Sequence, residues 1–67
     1  GRGSDKDFKR FLEIALGSCN ELDTQLILSV RLNYTTIDQL NDHFSMIAEI
    51  GNMIITLIRK FDKLSSI

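Results

Sequence analysis

The sequence predicts an all-α fold, an antiparallel hairpin of two long helices, and three observations carry that prediction. Proline is absent and the four glycines stand at positions 1, 3, 17 and 51, so the interior lacks the turn chemistry that strands require. Apolar residues recur at alternating spacings of three and four along most of the chain, which is the period of a helix face. Helix-opening chemistry occurs at Ser4 and again near Thr36, with one short turn between the two periodic segments.

Composition sets the class. The 67 residues are 43% hydrophobic and 25% charged, values of an ordinary globular chain rather than a disordered or fibrous one. No run approaches about 18 consecutive apolar residues and no signal peptide is visible, so the chain reads as cytoplasmic, with no membrane partner. Cys19 is the only cysteine, which removes a disulfide framework or a cysteine-rich zinc site as the stabilising device. A chain this short buries only about 60% of the surface its unfolded form exposes. Residues 1–67 therefore read as a single helical-hairpin unit whose core something else must complete.

Helix A is expected over about residues 5–32. The Ser4 hydroxyl can accept from the free amides of the first turn, Asp7 can answer as a short capping box, and Asp5 and Asp7 suit the positive end of the helix dipole. Phe8, Leu12, Ala15, Cys19, Leu22 and Leu26 then form its apolar stripe, widened on one side by Ile14, Leu28 and Leu32. Arg31 suits the negative end of the dipole, and Asn33 can take the left-handed conformation that closes a helix. The turn occupies about residues 33–36. Helix B, about residues 37–64, opens with a capping box of either Thr36 with Gln39 or Thr35 with Asp38. Its stripe is Ile37, Leu40, Phe44, Ile47, Ile54, Ile58 and Phe61, with Gly51 in the one slot that lacks a bulky residue. So short a turn makes the two helices antiparallel neighbours.

Helix B carries more apolar surface than one neighbour can bury. Met46, Ile50, Met53, Leu57 and Leu64 form a second line beside the first, and together they cover roughly 220° of the circumference, against about 100° for a helix packed on one partner. A homodimer of hairpins forming a four-helix up-and-down bundle answers this most simply. The expected interface is Met46, Ile50, Gly51, Met53, Ile54, Leu57, Ile58 and Phe61, with Gly51 allowing close backbone approach at the bundle centre.

The first half of the chain resembles a known family. Gly1, Arg2, Ser4, Asp5, Phe8, Phe11, Leu12, Ile14, Ala15, Gly17, Ser18, Glu21 and Gln25, followed by the Leu32-Asn33-Tyr34 turn, are similar to the second half of the 23S rRNA intervening-sequence proteins. The match is specific over about residues 1–34 and only a matter of pattern beyond. Family members carry two further helices before the glycine-arginine stretch, so the resemblance implies the C-terminal half of a four-helix bundle, a natural short form or a fragment. It also implies a small cytoplasmic bacterial protein that forms ring-like homo-oligomers, with relatives that bind nucleic acid as accessory factors of reverse transcriptases. Ser18, Glu21 and Gln25 lie beside the core stripe, where a polar network fixing the register between helices is expected.

Charge is distributed unevenly. Residues 1–13 and 55–67 meet at one end of an antiparallel hairpin and carry Arg2, Lys6, Lys9, Arg10, Arg59, Lys60 and Lys63 against four acids, a net of +3, while residues 14–54 carry −4. This basic end is a candidate patch for RNA or DNA, although no aromatic residue is interleaved for base stacking and local pairs such as Lys9–Glu13 would absorb some of it. No catalytic constellation is present. His43 is the only histidine and its neighbour Asp42 lies about 100° away around the helix. Cys19 sits on an apolar stripe with no histidine expected nearby. Neither a cofactor, a metal nor a small-molecule substrate is expected, and the expected function is non-enzymatic assembly.

Overall fold

A computed structural model describes residues 4–65 as two helices, α1 (Asp5–Arg31) and α2 (Ile37–Ser65), packed as an antiparallel hairpin. Their ends follow from named side chains. Ser4 is extended, with φ −65° and ψ 154°, and its hydroxyl accepts from the Asp7 amide at 3.2 Å. At the far end Asn33 adopts φ 64°. The Tyr34 amide donates to the Ser29 carbonyl at 2.9 Å and the Asn33 amide to the Val30 carbonyl at 3.0 Å, the paired bonds of a Schellman closure with asparagine in the usual glycine position. The choice left open at the start of α2 is resolved in favour of Thr36 with Gln39. The Thr36 hydroxyl accepts from the Gln39 amide at 3.2 Å, and the Gln39 side-chain carbonyl accepts from the Thr36 amide at 3.3 Å.

The seam of α2 is the expected one. Leu40, Phe44, Ile47, Gly51, Ile54, Ile58 and Phe61 are buried or half-buried, and only Ile37, beside the turn, lies open. On α1 the seam is rotated from the expected stripe. It runs through Leu12, Leu16, Cys19, Asp23, Leu26 and Val30, whereas Leu22 is exposed. Two overlapping rows share Leu12, Cys19 and Leu26; Leu16 and Val30 of one are half-buried, and of the other Ala15 is half-buried while Leu22 is open. Among the described residues, Leu12 and Ile54, at 8% and 9% exposure, are the buried core.

The two sides of the hairpin are marked by different contacts. On one, Phe8 meets Phe61 edge to face with ring centroids 5.1 Å apart. On the other, Lys9 forms an ion pair with Asp62 across the helices, rather than along its own helix with Glu13.

Candidate functional site

The surface that stands out is the side marked by Phe8 and Phe61. On α2 the row Met46, Ile50, Met53, Leu57 and Leu64 keeps between 38% and 61% of its surface exposed. On α1 Phe11, Ile14, Leu22 and Leu32 are open as well, with Phe11 at 69%. At about 100° per residue, each of these rows lies roughly 110° from its own seam, in the same rotational sense when each helix is viewed from its N-terminus. For antiparallel helices the same sense leads to the same side. Phe8 and Phe61 are displaced from their seams in that sense, and Lys9 and Asp62 in the other, so the observed contacts agree with the assignment. The result is one apolar face shared by both helices.

The interface residues named from sequence divide into two groups. Met46, Ile50, Met53 and Leu57 line the open face, whereas Gly51, Ile54, Ile58 and Phe61 face α1 within the hairpin seam. A β-carbon at Gly51 would come no nearer than 3.9 Å, to Leu16 Cδ1, so the packing of α1 on α2 does not itself require glycine there. Phe11, Ile14, Leu22 and Leu32 of α1, and Leu64 of α2, are members of the face that the expected interface did not include; Phe11 and Leu22 had not been read as lying on this side at all. The signal for them was present as the row Phe8, Phe11, Ala15, Ser18 and Leu22, which keeps the same three-and-four spacing.

Ser18, Glu21 and Gln25 are all exposed and interrupt the α1 half of the open face. The Ser18 hydroxyl donates to the Ile14 carbonyl of its own helix at 3.1 Å, so the hairpin does not use it to fix the register of α1 against α2.

The cations lie elsewhere. Lys6, Lys9, Arg10, Arg59, Lys60 and Lys63 gather at the end where α1 begins and α2 finishes, and Arg2 falls outside the described residues. By the same helical geometry Lys6, Lys9, Arg59 and Lys63 sit on the side opposite the apolar face. The Lys9 ammonium is held above its usual pKa, first by its hydrogen bond to the Asp62 carboxylate and then by that carboxylate's charge, with a smaller contribution from Glu13; partial burial opposes them. Cys19 is half-buried in the seam, and His43 is exposed on α2 near the turn. Among the described residues no three His, Cys, Asp or Glu side chains are grouped to hold a metal ion, and no helix is long and apolar enough to cross a membrane.

A family model for the 23S rRNA-intervening sequence protein matches residues 1–56. The chain belongs to this family. The match runs through α1, the turn and about two-thirds of α2, so the family relationship extends beyond residue 34, where the specific sequence resemblance ends. It covers the α2 row as far as Met53 and stops short of Leu57, Lys60 and Leu64. No curated protein and no solved structure gave a significant match.

Proposed function

We propose that this member of the 23S rRNA-intervening sequence family is a non-enzymatic assembly module, working in the cytoplasm as a homodimer of hairpins whose apolar faces close into a four-helix bundle. One observation carries the reading: the hairpin exposes more surface than a self-sufficient protein of its mass. Its accessible surface is 5609 Å² for 7.6 kDa. The scaling for folded monomers gives about 4,300 Å² at that mass, so the surplus is about 1,300 Å² per chain. Twice that surplus, about 2,600 Å², falls within the range of obligate homodimer interfaces, roughly 2,000–5,000 Å². Full burial of a leucine, isoleucine or methionine side chain contributes roughly 1.5–3 kcal/mol, so covering the half-exposed α2 row contributes on the order of 1 kcal/mol per residue.

The test is sedimentation together with circular dichroism at micromolar concentration. The wild-type chain is expected to be dimeric and helical, and Ile50→Glu with Met53→Glu to dissociate it, because both residues lie outside the hairpin seam. A wild-type chain that stays monomeric and fully helical would sink the proposal.

A second reading is an RNA- or DNA-binding accessory role. It is favoured by the position of Lys6, Lys9, Arg59 and Lys63 on the side that assembly leaves free. Mobility shifts with structured RNA and duplex DNA should then weaken steeply with salt and with Lys6→Glu plus Arg59→Glu, and no binding at low salt removes the reading.

A further inference from the structure

The geometry points to a ligand site away from the open apolar face: a groove beside the turn that takes a small organic cation, an apolar body ending in a protonated nitrogen, with Asp23 as its counter-ion. The groove has a volume of about 460 Å³ and is lined by Asp23, Ile27, Val30, Arg31, Ile37 and Phe44. That volume falls within the range of small-molecule sites, roughly 300–1,000 Å³. At about 100° per residue these side chains lie on the seam or to the Lys9 and Asp62 side of it. Covering the Met46–Leu57 row therefore leaves the groove open.

The lining selects the occupant. Asp23 is the one charged residue on the α1 seam, half-buried, and it forms no hydrogen bond or ion pair among the described residues. A carboxylate set against apolar walls without a counter-charge pairs more strongly with a cation than an open one does. The seam contacts fix the levels, since Phe8 meets Phe61 and Leu16 lies by Gly51, and they put Phe44 level with Asp23. A carboxylate and an aromatic ring thus share the end of the groove farther from the turn, and both attract positive charge. Toward the turn the wall is Ile27, Val30 and Ile37. Ile27 and Ile37 are 41% and 59% exposed, so a hydrocarbon lying there covers surface that the hairpin leaves in water. Arg31 stands about 12 Å along the helix from Asp23, eight residues at about 1.5 Å each, and does not neutralise it. The surroundings have the same sign, because residues 14–54 carry a net −4 with Arg31 their only lysine or arginine.

Hexylammonium is the probe, with hexanol and hexanoate as its uncharged and anionic counterparts, each titrated into the full chain and followed by amide NMR spectra. Hexylammonium is expected to shift the Asp23, Ile27, Ile37 and Phe44 amides saturably. It should bind about fivefold to tenfold more tightly than either counterpart. Asp23→Asn keeps the side-chain shape and should lower hexylammonium to the affinity of hexanol, with circular dichroism confirming that the helices persist. Added salt supplies a readout on the unaltered chain, since it should weaken hexylammonium and leave hexanol unchanged. Shifts centred on Met53 and Leu57 overturn the site, because the open apolar face is then the part that takes the hydrocarbon. Equal affinity for the three probes overturns it too, as does an Asp23→Asn chain that binds hexylammonium like the wild type. Tighter binding of hexanoate assigns the groove to Arg31 and overturns the cation reading. None of these outcomes depends on whether the chain assembles.

Discussion

Gly51→Ala should stabilise this protein, although Gly51 lies in the middle of a packed helix and faces a neighbour. The magnitude follows from two terms. Glycine in a helix interior costs about 0.8–1.0 kcal/mol relative to alanine, through the backbone freedom it loses on folding. The added β-carbon would meet only Leu16 Cδ1, at 3.9 Å, which is ordinary van der Waals contact at the end of a flexible side chain. Neither a clash nor a positive φ opposes the gain, so the net expectation is about 1 kcal/mol of added stability. For a chain of this size that corresponds to a rise of roughly 4–8 °C in the unfolding midpoint. Circular dichroism melts at matched protein concentration would read it, because assembly makes the midpoint depend on concentration. Gly17→Ala provides the control, since nothing lies within 4 Å of a β-carbon there and only the propensity gain is expected. If Gly17→Ala stabilises while Gly51→Ala is neutral or harmful, the reasoning fails. Something other than Leu16 would then approach the α2 backbone at that point.

Three further outcomes follow from the helix ends and the Lys9–Asp62 ion pair across the helices. Asn33→Ala should cost roughly 1–2 kcal/mol, because φ 64° is strained for alanine, whereas Asn33→Gly should be neutral or mildly stabilising; urea titrations of the pair separate conformational strain from lost side-chain bonding. Thr36→Ala removes the hydroxyl that accepts from the Gln39 amide and should cost about 1 kcal/mol in the same assay, with Thr36→Ser recovering most of it. Lys9 is held above its ordinary value of 10.5 by Asp62, so its stabilising contribution is complete below that value and is lost as pH rises through the raised folded pKa. Melts across the alkaline range should therefore show a loss of stability that Asp62→Asn removes; an unchanged alkaline limb in Asp62→Asn would place its cause elsewhere.

The chain's architecture was legible to an unequal degree in its two helices. In α2 the longer of two apolar rows, with glycine in one slot, was read as the seam, and Leu40 through Phe61 occupy it, while the second row from Met46 to Leu64 stays open. In α1 the residues Leu12, Cys19 and Leu26 belong to two rows at once, and periodicity alone does not say whether Leu16 and Val30 or Ala15 and Leu22 complete the seam. The deciding information is not local. It depends on how Phe8 and Lys9 meet Phe61 and Asp62, residues more than fifty positions away in sequence. The caps were legible because each is set by a few neighbouring side chains: Ser4 with Asp7, Asn33 alone, and Thr36 with Gln39.

The rotation of α1 also bears on function. Leu22, which the sequence reading placed in the seam, lies open instead. It thereby joins Phe11 on the side occupied by Met53 and Leu57. Most of the exposed large apolar side chains lie on that side, with Ile27, Leu28 and Ile37 outside it, and Lys6, Lys9, Arg59 and Lys63 lie on the other. Separated in this way, an apolar face can be covered without burying those cations, whose desolvation would otherwise oppose association. Substitutions on the two sides should therefore act independently: Met53→Glu on association, and Lys6→Glu with Arg59→Glu on any polyanion contact. A polyanion contact that vanished with Met53→Glu alone would show that it requires the assembled form.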